Sequence, residues 1–217
     1  MENLFIGVYG ASGFGKEVMP VVRQQFSQLS KEHFAFIDDG QAGSSLNGYE
    51  VLSYSDFINK PHANKSVTIA IANSQVREKL ATRLTQDGIQ HLDVKAQNTV
   101  ILDEVEIGEG SLLCPFSCLT SNIKIGRFFH ANIYSYVAHG CVIGDFVTFA
   151  PGVKCNGNIH IEDHAYIGTG AVIKQGTPEK PLVIGRGAIV GMGAVVTKSV
   201  PAGVTVVGNP ARVLEKK

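Results

Sequence analysis

A glycine-rich stretch near the amino terminus, GVYGASGFGKEV at residues 7–18, has the residue types of a phosphate-binding loop. Gly10, Gly15 and Lys16 match the first seven positions of the nucleotide-binding P-loop, G-x-x-x-x-G-K. The eighth position requires a Ser or Thr hydroxyl to bind Mg²⁺, but here it is Glu17. The stretch also resembles a dinucleotide fingerprint, with the spacing G-x-x-G-x-G instead of G-x-G-x-x-G. It satisfies neither pattern, so these residues alone leave open which phosphate the loop would hold.

Paired acids follow a later strand-like segment and could contribute to a nucleotide site. Asp38 and Asp39 come directly after the apolar segment FAFI, about 20 residues beyond the glycine-rich stretch. In dinucleotide enzymes an acid at this place binds a ribose hydroxyl, although paired acids also end a strand in an ordinary turn. Asn73 opens a later helical segment, and its side chain can cap that helix.

Length, charge and cysteine content limit the class of protein. The chain has 217 residues, a formal net charge of zero and 18% charged residues, which argues against a nucleic-acid binder because such proteins need a basic face. No basic segment precedes the short apolar run at the amino terminus, and no apolar run reaches the ~18 residues of a membrane-spanning helix. The cysteines form neither a C-x-x-C pair nor a zinc-like spacing. These features predict a cytoplasmic protein with reduced thiols and no membrane insertion.

Strand and helix signals alternate over the first part of the chain. The predicted strands are 4–10, 33–40 and 66–72, and the predicted helices are 16–26 and 73–88. In the second helix, Val76, Leu80 and Leu84 form an apolar stripe with i, i+4 spacing. The strand–helix–strand order predicts a small parallel sheet with crossover helices, which we interpret as a Rossmann-like α/β domain over residues 1–95.

A period of six residues replaces this alternation. Counting in sixes from Ile101 stays in register for thirteen positions, of which ten are Ile, Leu or Val. A five-residue insertion, TPEKP at 177–181, follows, and the count resumes at Ile184. This period is typical of hexapeptide β-helices, in which three hexads form one triangular coil and the aliphatic residue points inward. Residues 96–217 are therefore predicted to form an all-β parallel β-helix with a carboxy-terminal tail, in which Gly108, Gly126 and Gly144 stack on one edge.

The combination of these motifs resembles a known family. The hexads, the segment PAGVTVVGNPARV at 201–213, the glycine-rich loop and FIDD at 36–39 resemble the NeuD-type sugar O-acyltransferases, which have a left-handed β-helix. Within that family the chain is similar to the bacterial N-acetyltransferases of nucleotide-linked 4-amino-4,6-dideoxy sugars, as in bacillosamine synthesis. The resemblance implies a left-handed parallel β-helix, a homotrimer, acetyl-CoA bound between neighbouring helices, and a nucleotide sugar bound to the amino-terminal domain.

The resemblance also implies a catalytic histidine, and His139 matches the family position before CVIG. It lies two residues past the inward-facing Val137, which puts it at a turn of the coil, facing out toward a neighbouring subunit. As a general base it would take a proton from the attacking amine. Close relatives often place an acid directly after this histidine, whereas here Gly140 follows. The ring could instead be oriented by Asp145, by an acid of another subunit or by a backbone carbonyl. Alternatively, the reaction depends less on a base. Asn132 matches a family position near the reacting groups, although a stacked turn asparagine is an equal interpretation.

The binding residues come from the same resemblance. Those expected to bind the nucleotide sugar are Gly10, Ser12, Gly13, Phe14, Gly15, Lys16, Asp38, Asp39 and Asn73. Relatives often carry histidine where Phe14 stands, and Lys16 is expected to substitute for it as a point charge. Those expected to bind acetyl-CoA are Gly168, Gly185, Gly208, Pro210 and Arg212. Lys216 or Lys217 could add charge toward the CoA phosphates, or form a frayed basic tail.

The resemblance, together with these residues, predicts an acetyl-CoA-dependent N-acetyltransferase that acts on the 4-amino group of a nucleotide-linked 4-amino-4,6-dideoxy sugar. UDP is the expected nucleotide, and the expected role is in bacterial surface-glycan or glycoprotein sugar biosynthesis. Two alternatives remain open: O-acetylation of a sugar hydroxyl, as in the sialic-acid enzymes, and a non-catalytic trimer that binds nucleotide sugars. A hydroxyl needs a stronger base, so the missing acid after His139 favours the amine. No metal is expected, because His160 and His164 fall on different parts of the triangle and His130, His139 and His164 do not reproduce a three-histidine zinc site.

Overall fold

The computed structural model describes residues 3–215. The chain divides into two compact units, Met1–Gln97 and Asn98–Lys217. The first unit alternates strands and helices, and the second consists of short strands that are joined by turns.

The first unit is built on a mainly parallel sheet. In chain order its elements are β1 (Leu4–Tyr9), α1 (Gly13–Gln25), a 3-10 helix (Lys31–His33), β2 (Phe34–Ile37), β3 (Ser45–Leu46), β4 (Tyr49–Leu52), α2 (Tyr54–Asn59), β5 (Asn64–Ile69), α3 (Ser74–Gln86), β6 (Gln90–His91) and β7 (Val94–Lys95). The strand order is β3-β4-β2-β1-β5-β6, and β3 with β4 is the antiparallel pair. The three predicted strands therefore form the centre of the sheet. The sequence analysis did not identify β3, β4 and α2, which are too short to show a clear period.

Helix α1 begins earlier than the sequence predicts. The prediction started this helix at Lys16, whereas α1 starts at Gly13 with Ser12 at its N-cap position. Gly13, Phe14 and Gly15 thus belong to the first helical turn. Because glycine is a poor helix former, the local propensity conceals this turn in the sequence.

Helix α3 buries a different face from the one predicted. Val76, expected in the apolar stripe, is 41% exposed, while Arg77 is fully buried. The buried positions also include Ala81 and Leu84, which follow Arg77 at the i, i+4 and i, i+7 spacings of one helix face. The prediction was wrong at Val76 because an arginine in a helical pattern is normally assigned to the solvent side.

The second unit is a parallel β-helix. Its strands are β8 (Val100–Ile101), β9 (Val105–Ile107), β10 (Leu112–Leu113), β11 (Cys118–Leu119), β12 (Ile123–Ile125), β13 (His130–Ala131), β14 (Tyr136–Val137), β15 (Val142–Ile143), β16 (Thr148–Phe149), β17 (Lys154–Cys155), β18 (Ile159–Ile161), β19 (Tyr166–Ile167), β20 (Val172–Ile173), β21 (Leu182–Ile184), β22 (Ile189–Val190), β23 (Val195–Val196), β24 (Thr205–Val207) and β25 (Arg212–Val213). Every predicted hexad position from 101 to 196 is the last residue of one of these strands. All of these residues except Ile107 belong to one continuous core or, like Ile101, pack against it. Ile107, in the first coil, is 36% exposed.

The strand register confirms the coil length. Equivalent strands pair in parallel 18 residues apart, as Leu113 does with Ala131. After the insertion the separation becomes 23 residues, as between Ile161 and Ile184. The five additional residues therefore leave the core as a loop without disturbing the stack.

The predicted glycine stack is present on one edge of the β-helix. A Cβ on Gly108 would lie 2.7 Å from the backbone nitrogen of Arg127, and one on Gly144 would lie 2.7 Å from that of Asp163. Glycine is therefore required there by the close approach of the next coil. None of the helices within residues 3–215 has the length and apolarity that crossing a membrane requires.

Candidate functional site

Close backbone contacts require two glycines of the amino-terminal loop. Gly10 follows β1 with a φ of +109°, and its N–H donates to the Ile37 carbonyl oxygen at 2.9 Å. A Cβ on Gly15 would overlap the carbonyl oxygen of Gly10, so only glycine lets α1 approach the loop. An added Cβ on Gly13 would meet no atom within 4 Å. The loop thus leaves open space beside the first turn of α1.

The amino-terminal end of α1 is suited to an anion. Ser12 makes no capping hydrogen bond with its side chain, and the first turn contains no acid. Ser12 and Gly13 are exposed, and so is the side chain of Lys16 one turn later. The N–H groups at the start of a helix lack intrahelical partners, and with the helix dipole they favour a phosphate. Phe14 is half-buried and brings no charge, which leaves Lys16 as the cation of this turn.

Both acids after β2 have structural hydrogen bonds. The Asp38 carboxylate accepts from the Ala11 N–H at 3.2 Å and from the Gly40 N–H at 3.0 Å, so it ties the glycine loop to the end of β2. The Asp39 carboxylate accepts from the Tyr54 N–H at 2.7 Å, at the start of α2. Asp39 is nevertheless exposed, and a carboxylate has about four lone-pair sites, so it retains room for a further donor.

A third loop borders the glycine loop. A Cβ on Gly10 would lie 3.0 Å from the Ala70 carbonyl oxygen, just after β5. The buried Arg77 guanidinium donates to the Ile71 carbonyl oxygen at 2.8 Å and to that of Ala72 at 3.2 Å, which holds this loop in place. Burial lowers the pKa of Arg77 to about 9. The loops after β1, β2 and β5 thus meet at the carboxyl edge of the parallel sheet, where ligands of such sheets bind.

Asn73 acts as a helix cap. Its side-chain oxygen accepts from the Val76 N–H at 3.0 Å, at the start of α3. This bond accounts for an asparagine at this position, and the expected ligand contact stays a prediction.

Arg77 was missed by the sequence analysis, and nothing in its local sequence distinguishes it from a solvent-facing arginine.

His139 lies on an exposed turn directly after β14. Its imidazole lies against Gly157, one coil further along: a Cβ on Gly157 would be 2.5 Å from Cε1, 2.6 Å from Nε2 and 3.0 Å from Nδ1. The His139 carbonyl oxygen accepts from the Asn158 N–H at 2.8 Å, which fixes the backbone of the turn. The ring itself makes no hydrogen bond within the described part of the chain.

The surroundings of Gly140 show why no acid follows His139. Gly140 has a φ of +68°, which disfavours any residue with a side chain. An added Cβ would also lie 2.5 Å from Oδ1 of Asn158, so the Asn158 carboxamide occupies the space that a side chain at 140 would need. The sequence analysis did not single out Asn158, because its approach depends on a residue 18 positions away.

Asp145 is not the acid that orients His139. Its carboxylate accepts from the Arg127 backbone N–H at 2.8 Å and from Nη2 of Arg127 at 2.9 Å. That ion pair joins two turns of the glycine edge, one coil apart. Asp145, which the sequence suggested as an acid that could orient the His139 ring, therefore pairs with Arg127 instead.

Asn132 follows β13, whereas His139 follows β14, so they occupy consecutive corners of one coil. The Asn132 side chain is half-buried, and its Oδ1 accepts from the Ile133 N–H at 2.8 Å. Because a side of the triangle separates the two corners, Asn132 and His139 of one chain belong to different edges of the β-helix.

The glycines expected to bind CoA have a packing role. A Cβ on Gly168 would lie 2.6 Å from the backbone nitrogen of Met192, and one on Gly185 would overlap that of Ala202. Both positions therefore require glycine because the next coil is so close, whether or not a ligand passes there.

The carboxy-terminal residues of the expected CoA site are more accessible. Gly208, Pro210 and Arg212 are exposed, and β25, which contains Arg212, pairs antiparallel with β24. Lys216 and Lys217 lie outside the described residues. The contribution of this segment to CoA binding stays a prediction.

The other histidines of interest do not converge. His160 is exposed on β18, while the His164 ring stacks on Phe146 with centroids 5.3 Å apart. Within residues 3–215, no three His, Cys, Asp or Glu side chains are grouped so that they could hold a metal ion.

Comparison with known proteins identifies the family. The protein-family model of the PglD N-terminal domain matches residues 5–84 of this chain. The chain is 52% identical over 216 residues to the GDP-perosamine N-acetyltransferase of Escherichia coli O157:H7, covering 99% of this chain and 97% of that protein. The structure of WeeI from Acinetobacter baumannii AYE is 82% identical, with a TM-score of 0.97 over 97% of this chain and all of that one. The acetyltransferase domain of PglB from Neisseria gonorrhoeae FA1090 in complex with acetyl coenzyme A is 26% identical, with a TM-score of 0.86 over 99% of this chain and 100% of that one. With its α/β unit followed by a left-handed parallel β-helix, the chain belongs to the NeuD-type sugar acyltransferase family.

Proposed function

We propose that this protein transfers the acetyl group of acetyl-CoA to the 4-amino group of a UDP-linked 4-amino-4,6-dideoxy sugar. The observation that carries the proposal is His139, an exposed imidazole on a β-helix turn whose nitrogens make no hydrogen bond within the described residues. The second support is the open helix end at Ser12 and Gly13, which suits a diphosphate. The E. coli relative is named as a GDP-perosamine N-acetyltransferase, which agrees with acetyl transfer to an amine of a nucleotide-linked sugar.

The reaction needs one proton transfer at the amine. The sugar nitrogen attacks the thioester carbonyl carbon, a C–N bond forms, and the C–S bond breaks. His139 accepts the proton that the nitrogen loses, and the departing CoA thiolate takes up a proton in turn. A positioned base of this kind contributes roughly 10²–10⁴-fold to the rate. Because an amino group is partly neutral near neutral pH, alignment of the two substrates supplies much of the remainder.

The nucleotide would bind the first unit. In this proposal the pyrophosphate lies at the start of α1, with the Lys16 ammonium as its counter-charge. The Asp39 carboxylate accepts a hydrogen bond from a ribose hydroxyl, because this side chain is exposed and keeps free lone pairs. Asp38 instead holds the loop through its hydrogen bond with the Ala11 N–H. Phe14 then contributes apolar contact rather than charge.

The active enzyme in this proposal is a homotrimer with active sites between subunits. Asn132 and His139 lie on different corners of one coil. They can act on the same substrate only if a corner of one subunit meets a corner of another, as a three-fold arrangement of β-helices allows. Sedimentation equilibrium should then give three times the mass of the 23.2 kDa chain. A monomer that retains full activity would refute the shared site.

We also propose that the enzyme works in the cytoplasm. Its four cysteines are all free thiols, which persist in a reducing compartment.

A second candidate has a different nucleotide, GDP in place of UDP. The E. coli relative is named for GDP-perosamine, and its identity of 52% over nearly the whole chain makes a GDP-linked acceptor the principal competitor. The competing candidates are therefore separated by direct comparison of the two sugars.

The test is CoA thiol release with matched acceptors. Purified protein is supplied with acetyl-CoA and either a UDP-linked 4-amino-4,6-dideoxy sugar or GDP-perosamine, and kcat/KM is compared. We expect the UDP-linked sugar to be preferred and His139→Ala to lower kcat by roughly 10²–10⁴-fold. His160→Ala, which changes another exposed histidine of the same unit, is the matched control and should leave kcat unchanged. A preference for GDP-perosamine would establish the second candidate, and no thiol release with either acceptor would refute both.

A further inference from the structure

The turn that carries His139 is tied to Asn156, a residue of the next coil that directly follows β17. The Tyr136 hydroxyl, three residues before His139, donates to Oδ1 of Asn156 at 2.8 Å. The Cys141 thiol, two residues after His139, donates to the Asn156 carbonyl oxygen at 3.1 Å. Asn156 therefore holds the chain on both sides of the His139 turn.

A third contact fixes the Asn156 carboxamide. Its Nδ2 donates to the Ile173 carbonyl oxygen at 2.8 Å, one coil further along. Because a backbone carbonyl oxygen can only accept, the amide nitrogen must face Ile173, and the amide oxygen then faces the Tyr136 hydroxyl. The contacts thus join three consecutive coils and allow a single orientation of the Asn156 side chain.

Asn156 immediately precedes Gly157, the residue against which the His139 ring lies. A Cβ on Gly157 would be 2.5–3.0 Å from Cε1, Nε2 and Nδ1 of His139, so the ring packs directly on the Gly157 backbone. Within residues 3–215 the ring makes no hydrogen bond that would hold it independently. A displacement of the peptide that joins Asn156 to Gly157 is therefore passed on to the imidazole.

The hydroxyl of Tyr136 is suited to this contact. Its side chain and that of Asn156 are half-buried. Burial raises the pKa of the Tyr136 phenol, so the hydroxyl keeps its proton and remains a donor at neutral pH. Tyr166, which is likewise the first residue of a strand, β19, is 37% exposed, and its hydroxyl has no hydrogen-bond partner in the described part of the chain.

We propose that Asn156 is a positioning residue for acetyl transfer, with the Tyr136 hydroxyl as the partner that fixes its side chain. Asn156 acts through Gly157, because it holds the backbone on which the His139 ring rests. The inference rests on the proposed function, since it takes His139 as the base that receives the proton of the amine. This role requires no contact with either substrate, so loss of Asn156 should lower kcat and leave KM unchanged.

The experiment compares Tyr136→Phe and Asn156→Ala with the wild type in the CoA thiol-release assay. We expect Tyr136→Phe, which removes one hydrogen bond, to lower kcat roughly three- to tenfold. Asn156→Ala removes both carboxamide contacts and should lower kcat on the order of 10- to 100-fold, since a misplacement of about 1 Å costs roughly 10²-fold. The KM values for both substrates should stay within about twofold of the wild type. Tyr166→Phe is the matched control and should leave kcat unchanged.

A second measurement follows the imidazole without any reaction. The ring C–H signals of the histidines are recorded by NMR, and the His139 signal is identified by its loss in His139→Ala. This signal should shift in Tyr136→Phe and in Asn156→Ala, and should stay in place in Tyr166→Phe. If Asn156→Ala does not fold, Tyr136→Phe alone decides the question.

The outcomes separate this inference from the proposed function. An unshifted His139 signal in a folded variant overturns the positioning role, whatever the wild type catalyses. So does a rise in KM with kcat unchanged, or a fall in kcat that is equally large in the His139→Ala background. A shifted His139 signal in a protein that transfers no acetyl group refutes the proposed function, while the placement of the His139 ring by Asn156 stands.

Discussion

Replacing Gly157 with alanine tests whether His139 depends on the residue beneath it. The new Cβ would lie 2.5–3.0 Å from three ring atoms of His139, whereas ordinary contacts begin at 3.4 Å, so the ring must move by about 0.9 Å. The ring is the far end of an exposed side chain and can turn about χ1, so the free energy of unfolding should change little. A displacement of about 1 Å at a reacting group costs on the order of 10²-fold in rate. We therefore expect Gly157→Ala to lower kcat by about that factor.

The assay is CoA thiol release with the preferred nucleotide sugar, accompanied by urea unfolding. Gly191→Ala is the matched control, because its Cβ would also meet a side chain of the β-helix, Cγ1 of Val207 at 2.7 Å, away from His139. Its kcat should stay within about twofold of the wild type. In the His139→Ala background, Gly157→Ala should have almost no additional effect, since the two changes act through one group.

The reasoning would be refuted by a folded Gly157→Ala protein whose kcat is within threefold of the wild type. It would also fail if Gly157→Ala lowered kcat equally in the presence and absence of the His139 imidazole.

Three further predictions concern the first unit. Asp38→Asn should weaken UDP binding and lower the free energy of unfolding by about 1 kcal/mol, because one of its two oxygens can no longer accept from a backbone N–H such as that of Ala11; calorimetry and urea unfolding measure both. Asn73→Ala should cost about 1 kcal/mol of stability through loss of the cap on the Val76 N–H, and a loss of UDP affinity without a loss of stability would contradict the cap interpretation. Burial lowers the pKa of His62, so the unfolded state binds more protons and stability should fall as the pH drops from about 6.5 through the lowered value; thermal melts of His62→Gln should lack this component.

Much of the fold follows from local sequence patterns. The hexad count predicted the last residue of every strand from β8 to β23, because each short strand must point one apolar residue into a narrow core. The pattern of Gly10 and Gly15 predicted a phosphate-type loop. The structure shows that glycine is needed at position 15 because any side chain there would overlap the Gly10 carbonyl oxygen. The start of α1 was misplaced because glycine carries almost no helical signal.

The remainder was decided by contacts between residues that are distant in the chain. Arg77 is buried because the loop after β5 offers it two carbonyl oxygens, which a helical pattern cannot reveal. Gly157 meets the His139 ring, and Asn158 fills the space beside Gly140, because one coil separates each pair.

The sequence by itself thus determined which residues face the core, since that depends on a local period and the hydrophobic effect. Only the tertiary structure determined which polar groups meet at the surface. Lys174 and Lys198 lie 24 positions apart in the sequence, and the insertion between them changes the repeat from 18 to 23 residues. Both line one depression beside the insertion. They meet because the insertion leaves the core as a loop and the parallel pairing continues beyond it, with Val172 opposite Val195.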